Sequence, residues 1–307
     1  MDLTLDIPSV EEALFDKAAA IGPRYGLQEP FIDPSSFATR LIDAMEQRGV
    51  TNPTEVRKSP TEVFHAAVRS LGSNQTDWAR YMAAEDAIER VLHGFDPVAV
   101  NKARLDGQDI QADLVAALPR TTPRRTASRV LTWAENLTNQ PELYDEIQTL
   151  GRLAQAAGRL SNHELLPVVA LVLSADPLTR LSRQRLAELG VRDRTWKLPG
   201  MGFALTTEFL RNLGWEGFKP DTHVKRLFDH WIGEEQLAQF DARAAELAAV
   251  VGIRSRDSIR TLRYSLAGLA ITPDGWSPSA IDNLVWLIGA NVQGARSKDH
   301  RSFLISR

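Results

Sequence analysis

The sequence predicts an all-α fold, and two observations carry that expectation. Apolar residues recur at helical spacing along most of the chain, and no run alternates with the β-branched enrichment of a strand. The longest apolar run, 165–175, is interrupted by Pro167; at 11 residues it is too short to span a bilayer and reads as a buried core helix. Leu205, Phe209 and Leu213 follow one helical face, with Gly214 where a C-terminal cap belongs. The stretch DARAAELAAVVG, 241–252, concentrates strong helix formers and ends in glycine. Ile281, Leu284, Val285 and Ile288 form another face, with Ser277 as N-cap, Pro278 at the first position and Gly289 expected past the end. Pro/Gly/Asn clusters at 22–35, 51–60, 94–97, 119–123, 139–141, 198–202, 214–220 and 272–278 mark the breaks. None is long enough to act as a linker.

Composition narrows the function classes. At 307 residues, 43% hydrophobic and 24% charged, the chain suits a globular protein with one large domain or two medium lobes. Cysteine is absent, which excludes disulfides, thiolate zinc sites and iron–sulfur clusters and fits a reducing interior such as cytoplasm. The start, MDLTLDIPSVEEALFD, has neither a basic opening nor an apolar stretch, so no signal peptide is expected there. The expectation is a soluble cytoplasmic protein with no membrane partner, acting as a monomer.

A net charge of −3 argues against nonspecific coating of nucleic acid. The charge is unevenly spread, however. Arg120, Arg124, Arg125 and Arg129 stand within 119–129 without an acidic residue, and 180–197 holds Arg180, Arg183, Arg185, Arg192, Arg194 and Lys197 against Glu188 and Asp193. A basic face on an acidic body competes here with ordinary solvated helix faces.

The most informative stretch is KLPGMGFALTTEFLRNLGWEGFKPDTHVKR, 197–226. Two glycines one residue apart after a proline make a tight hairpin at a helix N-terminus, where unpaired amides and the helix dipole favour an anion such as a DNA phosphate. A Cβ would obstruct that approach. Taken alone, the Pro-Gly turn is a common connection between helices. Nineteen residues after Gly202, Asp221 follows within Pro-Asp-Thr-His, and the compound pattern is far more specific.

LPGMG followed by DTHV resembles the helix-hairpin-helix DNA glycosylases, a superfamily that includes endonuclease III, the adenine mismatch glycosylase and the alkylpurine glycosylases. The resemblance implies a phosphate-binding role for Gly200, Met201 and Gly202 and a catalytic role for Asp221. It makes Thr222 and His223 helix-capping and packing positions. Residues 64–81, FHAAVRSLGSNQTDWARY, resemble the helix and turn that place a glutamine in the duplex, which implies that role for Gln75 with Asn74 beside it. The same stretch resembles 3-methyladenine DNA glycosylase I, where a tryptophan matches Trp78, and HGFDPVAV at 93–100 resembles that family's Phe-Asp-Pro segment. Candidates to stack on a flipped base are Trp78, Tyr81, Trp133 and Trp215; for Trp78 and Tyr81 a buried aromatic is an equal competing reading.

Departures are equally informative. Bifunctional members carry a lysine where this chain has Ala204, so no Schiff base is expected at that position and the implied enzyme lacks lyase activity. The type I enzymes lack the aspartate that Asp221 supplies, so the chain falls between subfamilies. No H-E-x-x-H or paired metal spacing occurs among the histidines, and neither a metal nor a cofactor is expected.

The resemblance covers about 65–230 and implies two helical lobes: 61–214 bearing the hairpin, and 1–60 packed with 215–307, with Asp221 in the cleft between them. The implied function is a monofunctional DNA N-glycosylase that flips a base out of double-stranded DNA and hydrolyses its glycosidic bond. The base is left open as an alkylated purine, a mispaired or oxidised base, or a bulky modified base of some phage genomes, the last pointing to phage defence rather than DNA repair. The alternatives are a noncatalytic helix-hairpin-helix DNA-binding protein, in which a carboxylate beside phosphate would be a liability, and a helical scaffold without DNA affinity.

Overall fold

The computed structural model describes residues 3–45, 54–73, 78–175, 180–190, 197–299 and 301–307. Almost all regular structure in them is helical, as the periodicity predicts. Local chemistry sets many of the boundaries. Ser59 and Glu62 form a reciprocal capping box on Pro60–Arg69, and Asp96 caps Pro97–Leu105 through two backbone amides. Ser277 caps Pro278–Leu287 from one residue before the proline, as expected. The 165–175 run lies in the helix Asn162–Ser174 and its C-cap Ala175, and is buried from Leu165 to Leu173.

Two expectations are corrected. Strands do occur: Leu3–Leu5 pairs antiparallel with Leu304–Ser306, in register Leu3 with Ser306, and ties the two ends together. Three residues are too few to display an alternation. Gly289 does not end its helix, which continues as a π-turn over Ile288–Val292. A Cβ there would sit 3.1 Å from both His223 and Leu227, so the glycine admits a neighbouring helix instead of stopping its own.

The buried apolar residues form two cores. One gathers Phe64, Trp133, Tyr144, Leu166, Phe209 and Trp215 with their neighbours; the other joins Leu14, Phe37 and Leu41 from the N-terminal helices to Phe218, Phe228 and Leu284. The expected boundary at 214/215 follows these cores only in part. The helix Asp241–Val250 contributes Ala244, Leu247 and Ala248 to the first core. The next helix, Arg256–Ile271, serves both, with Leu262 and Leu266 on one face and Tyr264, Ala267 and Ile271 on the other. A helix apolar on two faces has to be covered on both.

A buried polar cluster joins the cores. Arg211, near the end of the helix Phe203–Asn212, donates to Asp282 at 2.6 Å, to Asn283 at 2.8 Å and to the Ser279 carbonyl at 3.1 Å. Asp282 also accepts from the Lys219 amide at 3.0 Å, and Ser279 Oγ accepts from the Gly217 amide at 3.2 Å. The connection 217–219 is thereby fastened between the two helices. Burial pushes the Asp282 carboxyl up to about 7, against the pull of Arg211 and Lys219. Removing one member of such a cluster strands the others without water or partner. Arg211→Ala is therefore expected to cost about 3–5 kcal/mol in urea denaturation, and a loss under about 1 kcal/mol would show that the cluster does not join the cores.

Candidate active site

The hairpin is held from beneath. Leu198 and Met201 are buried, the Met201 amide donates to the Leu198 carbonyl at 3.1 Å, and Trp133 Nε1 donates to the Pro199 carbonyl at 2.9 Å. Gly200 has φ +84°, a conformation that disfavours any residue with a Cβ, and a Cβ there would also overlap the Arg129 guanidinium. Gly202 is the N-cap of Phe203–Asn212 in ordinary extended geometry, is exposed, and has open space where a Cβ would stand. No side chain caps this helix, so its first amides remain available to an anion. Met201 can offer only its backbone. Arg124 and Arg125 are exposed in the first turn of Pro123–Asn139, with Arg129 half-buried one turn on; none of the three pairs with a carboxylate among the described residues. The second basic stretch behaves differently, since Arg185 is spent on Glu188 and the Val250 carbonyl; 191–196 lies outside the described residues.

From Gly214 the chain turns back under the polar cluster to Asp221, the N-cap of Thr222–Trp231. Its Oδ1 accepts from the His223 amide at 2.8 Å and the Val224 amide at 3.0 Å. Oδ2 takes no hydrogen bond among the described residues. The cap is thus Asp221 itself and not Thr222, which is the exposed first helical residue, because an aspartate in extended conformation can reach the second and third amides ahead of it. His223 packs edge-on against Trp286, with ring centroids 5.8 Å apart, as a packing position should.

Asp221 lines a cavity of about 420 Å³ together with Ser73, Ala204, Lys219, His223 and Trp286. That volume lies in the range of small-molecule sites. A recess of about 30 Å³ adjoins it, lined by Trp78, Glu208, Asn283 and again Ser73, Lys219 and Trp286. Lys219 Nζ stands 3.0 Å from Glu208 Oε2. Burial acts to raise the Glu208 carboxyl, but Lys219 and Arg211 outweigh it and hold it below the usual carboxylate range. Burial likewise acts to lower the Lys219 ammonium, and Glu208, Asp221 and Asp282 outweigh it and raise it. The two groups are an ion pair at neutral pH.

Of the expected stacking residues, the structure brings only Trp78 to this region, flanked by Arg69 at 5.4 Å from its ring and by Tyr81 at 6.0 Å. Tyr81 is fully buried behind it. Trp133 braces the hairpin, and Trp215 is sealed in the first core with its Nε1 donating to the Tyr144 hydroxyl at 3.2 Å. Neither lines the cavity, because each is packed on all sides by helices of its own core. Asn74 and Gln75 lie outside the described residues, although Ser73, just before them, lines both cavity and recess. In the Phe-Asp-Pro segment Asp96 is a helix cap and Phe95 stacks on His65 of the helix Pro60–Arg69, with ring centroids 4.2 Å apart.

Sequence reasoning missed Lys219, Glu208, Asn283 and Trp286. Trp286 left a signal, since a tryptophan there stands off the apolar face formed by Ile281, Leu284, Val285 and Ile288. Lys219 lay two residues before Asp221, but only the fold shows that it faces the same space. No protein-family model, curated protein or solved structure matches this chain.

The two hairpin glycines should separate on substitution. Gly202→Val is expected to fold with a loss of about 0.5–1 kcal/mol from poorer capping, whereas Gly200→Val should lose about 2 kcal/mol or more from left-handed strain and a displaced Arg129. Thermal melts of the two variants measure the difference, and equal stabilities would contradict the assigned backbone geometry.

Proposed function

We propose that this protein is a monofunctional DNA N-glycosylase of the two-lobed helix-hairpin-helix type, which flips a base from double-stranded DNA and hydrolyses its glycosidic bond. The observation that carries the reading is the divided use of the Asp221 carboxylate. Oδ1 is fixed by two backbone amides, while Oδ2 takes no hydrogen bond among the described residues and Asp221 lines a nucleoside-sized cavity. Breaking the bond between base and deoxyribose develops positive charge on the sugar, and a fixed carboxylate at the anomeric carbon stabilises it without reorganisation. The same oxygen can orient the attacking water. Uncapped amides at Gly202, with Arg129 against Gly200 and Arg124 and Arg125 about one turn earlier on the same helix, would supply the phosphate contacts that hold a duplex while a base leaves the stack. Ala204 lines the cavity, and at the position to which the resemblance assigns the lysine of bifunctional members it offers no amine, which supports hydrolysis over strand cleavage through that position.

A second reading has an observation of its own. Asp221 makes a complete N-cap, so it could be wholly structural and the hairpin a noncatalytic DNA-binding device. Asparagine caps helices as well as aspartate does but carries no charge. Asp221→Asn is therefore expected to keep the melting temperature and DNA affinity while base excision falls by about 10³-fold or more. The assay is abasic-site formation, read by alkaline cleavage, on duplexes carrying alkylated, oxidised, mispaired and bulky modified bases. Unchanged excision by the Asn variant would leave Asp221 a cap only.

Gly202→Val should weaken binding to every duplex by a similar factor, because backbone-to-phosphate contacts carry no base information. Its salt dependence should match wild type, since no side-chain charge is lost. Wild-type binding by a folded Gly202→Val protein, measured by fluorescence anisotropy, would reduce the hairpin to a turn.

A further inference from the structure

We propose that the Lys219 ammonium donates to the departing base as the glycosidic bond breaks, and that the base excised is one that is electrically neutral before cleavage, not a cationic N-alkylated purine. This rests on the glycosylase reading above. Cleavage of a bond to a neutral base creates two charges: a positive one on the sugar and an electron pair on the base nitrogen. Asp221 answers only the first. A group that answers the second has to be a hydrogen-bond donor on the same cavity.

Lys219 meets that requirement. Its side chain is only 7% exposed, and its Nζ has one partner among the described residues, Glu208 at 3.0 Å. An ammonium has three N–H donors, so two remain unpaired in a nearly dry place, where polar groups are normally satisfied. Lys219 lines both the main cavity and the recess, whereas Glu208 lines the recess alone. The pair therefore presents its cation to the space that Asp221 lines and keeps its carboxylate behind. The backbone is fixed as well, through the Lys219 amide on Asp282 and the Asp221 amide on the Lys219 carbonyl at 2.7 Å. The cavity's other basic groups are less suited. Lys225 leans toward the Tyr264 ring at 5.9 Å, and His223 is engaged with Trp286.

The step balances without a cofactor. The C1′–N electron pair passes to the base nitrogen, which takes a proton from Lys219 and leaves as the neutral free base. Water adds its oxygen to C1′ and gives a proton to Asp221, and exchange with solvent restores both side chains. A cationic N-alkylated purine leaves as a neutral molecule with no added proton, and the ammonium would oppose its entry.

The test compares wild type, Lys219→Met, Lys219→Arg and the double variant Lys219→Met/Glu208→Gln, which leaves no unpaired buried carboxylate if the single change fails to fold. Duplexes carry uracil, hypoxanthine or 8-oxoguanine as neutral bases and 7-methylguanine or 3-methyladenine as cationic ones. Two further duplexes carry abasic analogues, a cationic pyrrolidine and a neutral tetrahydrofuran. Excision is expected from the neutral set, falling about 100-fold in the Met variants and recovering in part in Lys219→Arg. Because the ammonium repels a cationic ring when no base intervenes, the Met change alone should raise the pyrrolidine-to-tetrahydrofuran affinity ratio about 10-fold. Excision confined to the cationic bases, or wild-type rates in folded Met variants, would overturn the assignment. If no base of the panel is cut, the analogue pair decides, and an affinity ratio unmoved by Lys219→Met removes Lys219 from the reacting centre. Failure of wild type to bind any of the duplexes is a different result and would remove the glycosylase reading itself.

Discussion

Burying Arg211, Lys219, Glu208 and Asp282 together is the constraint on which the rest of this structure depends. Each charge alone would be intolerable between two apolar cores, and each is made tolerable by the others. Hydrophobic burial is non-directional, whereas the hydrogen bonds of this cluster fix direction and distance. Arg211 spends its guanidinium on three acceptors of one short segment, 279–283, which sets how the hairpin helix meets the helix Pro278–Leu287. The connection carrying Lys219 and Asp221 is pinned at the same place.

That arrangement accounts for the economy of the site. The helix Phe203–Asn212 offers uncapped amides to solvent at its N-terminus and charged anchors to the interior near its C-terminus, about two turns apart. The next helix is capped by Asp221, whose Oδ1 takes both capping amides while the residue also lines the cavity. In the proposed reaction, phosphate contacts, sugar charge and leaving base are each met by a group on these two helices or on the connection between them. Positioning comes from backbone hydrogen bonds and buried ion pairs, so little has to reorganise when charge develops.

Aromatic residues divide by the same logic. Trp133 and Trp215 have their indole N–H groups satisfied inside the first core and act as structural braces. Trp78 and Trp286 stand where the cores meet and line the recess. A tryptophan between the two cores, beside a polar floor, has surface that a planar ring can use; a tryptophan inside one core does not.

The helical class, the Ser277 cap and the hairpin followed by Asp221 were legible in the sequence because each is a local property. Period, cap and turn chemistry act within a few residues, and backbone sterics dictate them wherever the segment ends up. Three-residue strands were not legible, since pairing between the two ends is a long-range event with no local pattern. Gly289 was misread because a glycine that stops a helix and one that admits a neighbouring helix look alike in sequence. The cavity's polar set belongs to the tertiary structure alone. Glu208, Lys219 and Asn283 come from three separate segments, and only the packing of two cores makes them neighbours. Burial, which decides whether a lysine is a solvated tail or a fixed ammonium, is a property of the assembled surroundings and not of the residue.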